Sequence, residues 1–207
     1  MEIKEALQEP LKDLNSNNVQ DVFEKIAKNL FNNFCIQCGC TKYYFAEIEF
    51  YYYDKNKFDK EWNEKTYPRT NKEAGMFFFH YSGVDICFDS DFSKGVFGGI
   101  LIRSLYDKDR DKFIMGPLLC VNEMLNTCSV EKKWPEIIRK EENSKCQIAK
   151  TERFGISYSE EHSQGEPLCF YDIRLDNKEN RKNTIQNASW DFSKKEAKDL
   201  NRYYQRF

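Results

Sequence analysis

Apolar residues first recur at helical spacing between positions 18 and 34. Val19, Val22, Phe23, Ile26, Leu30 and Phe34 fall on one face, and Asn18 can cap the start with Asp21 three residues on. The cysteine cluster with Gly39 is expected to end this helix. Residues 1–17 carry a weaker amphipathic pattern that fits a short helix. From Lys42 to Tyr53 the run is rich in Tyr, Phe and Ile and reads as a strand. Asp54 to Glu73 is polar and interrupted by Pro68, which predicts a loop with about one helical turn. Gly75 to Asp89 is mostly apolar but broken by Ser82-Gly83, giving two strands or one bent strand. Val96 to Ser104 predicts another strand, with a bulge or a close backbone approach at Gly98-Gly99. Gly116-Pro117 opens a helix to about Asn126, and Lys132 to Glu142 is a second candidate helix, basic and containing Trp134. Arg153–Tyr158 and Leu168–Arg174 predict a strand pair joined by polar residues 159–167. Ser193-Lys194-Lys195-Glu196 has the layout of a capping box, followed by a helix whose apolar side is Ala197, Leu200, Tyr204 and Phe207.

Strands joined mostly by loops, with helices toward the ends, predict a single α+β domain. Its sheet is expected to be curved, antiparallel or mixed, with flanking helices. Three stretches are distinguished along it. Residues 1–41 form a helical segment ending in the cysteine cluster, 42–176 the α+β core, and 177–207 a basic helical tail packed on that core. No internal repeat or low-complexity tract divides the chain.

Composition narrows the class. Charged residues make up 32% of the 207 and hydrophobic residues 40%, the balance of a soluble globular protein. No apolar run is long enough to span a bilayer, and the first residues lack the layout of a signal peptide. The expected setting is cytoplasmic and the expected state a monomer. Eight cysteines in a long chain without a secretory signal suggest reduced thiols. Cys35, Cys38 and Cys40 resemble half of a metal site, whereas a structural zinc takes four ligands from two such groups; buried thiols are the plainer reading, and no cofactor is expected. The net charge of −2 argues against binding nucleic acid through bulk positive charge. The tail is the exception, since Lys178 to Phe207 carries eight basic and four acidic residues.

The candidate chemistry lies in Phe45-Ala46-Glu47-Ile48-Glu49-Phe50-Tyr51. Residues two apart on a strand share a face, so Glu47 and Glu49 project together, with Phe45 and Tyr51 alongside and Ala46, Ile48 and Phe50 turned to the core. Two carboxylates on a partly apolar face must be solvated, paired or used. A half-exposed strand with solvated acids is the alternative.

The order of these segments resembles the alkyladenine (3-methyladenine) DNA glycosylase family over Tyr43 to Arg174. Ala46-Glu47-Ile48-Glu49-Phe50-Tyr51 matches the family's acidic-aromatic strand, and Tyr67-Pro68-Arg69-Thr70-Asn71 its proline-arginine loop. Ser82–Asp89 and Gly98–Leu105 match two further strands, Gly116-Pro117 a helix start, and Arg153–Ile156 with Leu168–Tyr171 the late strand pair. The resemblance implies that fold and a monofunctional DNA N-glycosylase, an enzyme that hydrolyses the bond between sugar and a flipped, damaged or modified purine in base excision repair. It implies Glu49 as the acid that activates water, Arg103 beside it, Tyr51 and Phe79 stacking on the base, and Asp89 screening it. DNA is the implied partner. Three positions depart from the family. Lys60 stands where the family has a pocket histidine, Ser82 where it has a wedge tyrosine, and Asp89 where it has an asparagine. These departures leave open a non-catalytic nucleotide or nucleic-acid binding module, or an N-glycosylase acting on a nucleoside or a single strand.

Overall fold

The computed structural model of the chain describes residues 1–69, 73–131, 133–141, 145–153 and 168–176. The architecture is α+β: a curled sheet in which every described pairing is antiparallel, with helices packed against it. The N-terminal residues form helix α1 (Ile3–Gln8) and a 3-10 turn at Glu9–Asp13, then helix α2 (Val19–Asn33). The helix predicted after Asn18 is present and buries the expected face. The cysteine cluster does more than end it, because Phe34–Cys38 is strand β1. Gly39, at φ 59°, and Cys40 then form a two-residue turn into strand β2 (Thr41–Asp54). Glycine takes this left-handed conformation without the penalty a Cβ brings. The last part of residues 1–41 is therefore sheet, not helix.

After β2 come a short helix α3 (Lys60–Glu64), then strands β3 (Phe77–His80) and β4 (Gly83–Cys87). Strands β5 (Val96–Asp107) and β6 (Lys112–Met115) and helix α4 (Pro117–Glu131) follow. Strands β7 (Glu136–Arg139), β8 (Ile148–Thr151) and β9 (Cys169–Asp172) are the remaining strands among the described residues. The centre is the long β2–β5 ladder. One edge of β2 takes β1 near its start and β9 midway, and the far edge of β5 takes β4 and then β6.

One expectation is corrected. The segment predicted as a helix over Lys132–Glu142 contains strand β7, paired with β1. Trp134-Pro135 interrupts a helix, and Ile137-Ile138 suit the open edge that β1 presents. Strand β9 pairs with β8 and with β2; the strand predicted over Arg153–Tyr158 lies, beyond Arg153, outside the described residues. Residues 154–167 and the C-terminal capping box and helix lie outside the described residues. Among the described residues no helix is long and apolar enough to cross a membrane.

One face of the sheet packs on α2 and α4. Phe23 of α2 stacks on Phe50 of β2 at 4.6 Å, and Ile48, Ile86, Ile100, Ile102 and Phe170 join the same core. The opposite face carries the charged residues.

A buried carboxylate and arginine cluster on the sheet

Strand β2 switches register twice against β5, between Phe45 and Glu47 and again between Glu47 and Ile48. Ala46 on one strand and Arg103 on the other have no direct cross-strand partner in that register. A bulged residue reverses which face the following side chains take. Tyr43 and Phe45 therefore belong to the main core before the bulge, and Ile48, Phe50 and Tyr52 after it. Simple alternation from Phe45 is corrected accordingly: Phe45 faces the core, and Ala46 packs with Tyr171 and Leu175.

The irregularity brings Glu47, Glu49 and Arg103 together. Arg103 Nε lies 3.6 Å from Glu47 Oε1 and 3.4 Å from Glu49 Oε1. The Tyr51 hydroxyl donates to Glu49 Oε2 at 2.9 Å, and Ser104 Oγ and Cys169 Sγ donate to Glu47 at 3.2 and 3.4 Å. Burial, followed by the Glu49 charge, pushes the Tyr51 phenol well up, so it remains a donor. Burial opposes the Arg103 charge, but Glu49 and then Glu47 outweigh it and hold the guanidinium proton more tightly than usual. Glu49 has no exposed surface, and Glu47 and Arg103 are 6% and 4% exposed. The solvated-strand alternative for the two acids is thereby excluded in this conformation.

A second charged group adjoins the first. Arg69 donates through Nε to Asp85 Oδ2 at 2.7 Å and through Nη1 to the Tyr67 carbonyl. Its guanidinium lies 4.8 Å from the Tyr67 ring and 6.0 Å from the Tyr51 ring. The Ser82 amide donates to His80 Nδ1, which places the ring proton on Nε2, 3.3 Å from Asp85 Oδ1. Gly99 makes room for this: a Cβ there would meet Arg69 Nε at 2.7 Å. Arg153 donates to the Phe50 carbonyl at 3.0 Å and its guanidinium lies 4.8 Å over Tyr51. Tyr51 is thus contacted by Glu49 at its hydroxyl and by Arg153 over its ring.

No family model, curated protein or solved structure matches this chain.

Of the residues singled out in the sequence, Glu49, Arg103 and Tyr51 converge. Phe79 does not join them. Phe78, Asp85, Leu101 and Glu49 lie in register across four strands and share a face, so Phe79 points the other way, 1% exposed, in the main core. Asp89 is also elsewhere: it accepts from the Ala74 amide and lies 3.7 Å from Lys4 of α1. Lys60 is on the exposed side of α3, paired with Glu64. Cys35 and Cys38 are three apart on a strand and take opposite faces, while Cys40 is exposed in the turn. The three thiols are not brought together, and among the described residues no group of His, Cys, Asp and Glu is arranged to hold a metal. Sequence reasoning missed Asp85, His80 and Arg153. An aspartate between Val84 and Ile86 in an apolar strand was a usable signal, because a buried acid requires a partner.

Proposed function

We propose that this chain is a monofunctional N-glycosylase of the alkyladenine glycosylase type, hydrolysing the bond between a modified purine and its sugar in DNA. The meeting of Glu49 with Arg103 carries this reading, since two residues far apart in sequence converge on the strand the family resemblance marks. Glu49 takes a proton from water as the water oxygen bonds to the sugar C1′. The bond from C1′ to the base nitrogen breaks, and its electron pair leaves with the base, which acquires a proton. The paired carboxylates face the positive charge that develops on the sugar. Arg103, 3.4 Å away, orients Glu49. Among the described residues the cluster holds no lysine nucleophile, so the strand itself is left uncut. The curled sheet is read in the same way as a version of that family's fold.

In this conformation Glu49 is enclosed, so a flipped nucleotide enters only after the face above Tyr51 opens and Arg153 leaves the ring. The same enclosure favours a second reading, a binding module whose acids are structural. Ser82 lies in the β3–β4 turn beside the half-exposed Tyr81, and a serine cannot fill a base stack; this favours a single strand over a duplex.

Base release from oligonucleotides carrying one hypoxanthine or ethenoadenine, single- and double-stranded, tests both. Release that falls about a thousandfold in Glu49→Gln supports the glycosylase. Release unchanged in that variant overturns the assigned mechanism, and binding without release selects the binding module.

A further inference from the structure

The face of β2 near its start carries a second site, roughly 15 Å along the strand from Glu49 at the usual rise per residue. It is a cavity of about 540 Å³, within the range of small-ligand sites. Tyr44 of β2, Tyr106 of β5 and Cys35 of β1 meet there with the segments that follow β7 and β9.

Its charge is one-sided. Lys42, Lys108, Lys140, Lys145 and Arg174 line it. The two carboxylates in the lining are each engaged by one of these cations. Lys42 is 2.6 Å from Glu141, and Arg174 donates to Asp172 at 2.9 and 2.5 Å. Five cations against two acids leave an excess of three positive charges, in a chain whose net charge is −2.

Lys140 is the most informative of them. Its ammonium donates to the Phe31 carbonyl at 2.6 Å and lies 4.7 Å from the Tyr44 ring. No carboxylate among the described residues forms an ion pair with it, and burial pulls its pKa down. The two thiols in the wall supply no negative charge, because burial raises both, Cys146 to about 12. On the far wall the Arg174 guanidinium stacks 4.3 Å from the Tyr106 ring. A guanidinium on an aromatic ring is a surface on which a base can stack.

We propose that this cavity binds a nucleoside monophosphate, with the phosphate at Lys140 and Lys145 and the base against the Arg174–Tyr106 stack. The same chemistry comes from a free mononucleotide or from the 5′-phosphorylated end of a strand. The proposal stands apart from the glycosylase reading, since it uses none of the residues around Glu49.

Equilibrium titration of the full chain with 5′-AMP, adenosine and inorganic phosphate tests it. AMP binds saturably, inorganic phosphate competes, and adenosine binds at least about tenfold more weakly for want of the charged contacts. Lys145→Glu, a reversal at an exposed position, weakens AMP binding about tenfold or more. Lys140→Met weakens it too. Lys12→Glu, a reversal on the N-terminal 3-10 turn, leaves it unchanged. AMP also slows alkylation at Cys146 but not at the exposed Cys40. Displacement by a 5′-phosphorylated oligonucleotide, but not by its 5′-hydroxyl form, assigns the strand end; displacement by AMP alone assigns the free nucleotide. Absence of saturable AMP binding, or a folded Lys145→Glu variant that binds AMP as the unaltered chain does, overturns the proposal.

Discussion

Asp85 shows how far a single residue can depend on its partners. It is 1% exposed and meets Arg69, equally buried, on one oxygen and His80 on the other. Replacing one member of such a pair leaves a charge buried without its counterion, at a cost of about 3–5 kcal/mol. Asp85→Asn is therefore expected to lose about that much stability at neutral pH, measured by urea denaturation. Burial pushes the Asp85 carboxyl up, and Arg69 with His80 more than reverse it, leaving it below the usual carboxylate range. A depressed native value stabilises the fold above the unfolded aspartate value of about 3.9, and that contribution fades as pH falls through the native value. The stability gap between the unaltered chain and Asp85→Asn should narrow in acid; a gap that stays constant down to acid unfolding would count against this assignment. Glu49 and Tyr51 were legible as candidates because their types and spacing sit on one strand. Asp85, His80 and Arg153 were not, because their significance comes from neighbours supplied by other segments.

Among the elements, β2 and β5 decide the site. Their paired irregularity at Ala46 and Arg103 turns an arginine toward two glutamates while keeping the isoleucines of both strands in the core. At Gly98-Gly99 the sequence predicts a bulge or a close backbone approach, and the second is present. Those glycines serve close approach: a Cβ on Gly98 would sit 2.5 Å from the Tyr51 carbonyl. Gly98→Ala is expected to cost about 1–3 kcal/mol, which for a chain of this size lowers the melting temperature by about 2–4 °C per kcal/mol. It should also disturb the Tyr51–Glu49 hydrogen bond, visible as a changed tyrosine environment in near-ultraviolet circular dichroism. A variant with unaltered melting and spectrum would show that β5 can shift freely at this point. The helix expected over Lys132–Glu142 failed for a related reason. Strand β7 forms because β1 offers an edge, and a local pattern does not report which edges remain open.

For the whole molecule, α2 against the β2–β5 ladder is the principal joint. Phe23, Phe50 and Phe88 form one aromatic group between helix and sheet. Phe50→Ala should cost about 3–5 kcal/mol by leaving a cavity there, read as a drop in the urea midpoint with little change in slope. Since Glu49 and Tyr51 flank Phe50 on the strand, the loss should reach the charged face as well; a folded variant with full base release would separate core from site. The sequence alone determined the α+β class, the amphipathic face of α2, the extent of β2 and the candidacy of Glu49, because periodicity and residue type are local properties. Only the tertiary structure decided that Phe79 and Asp89 lie away from Glu49, that the thiols diverge, and that Arg103 and Arg69 pair with buried acids while Arg153 lies over Tyr51. A bulge of one residue reverses sidedness, and ion pairing joins residues that the chain keeps far apart; neither leaves a periodic trace.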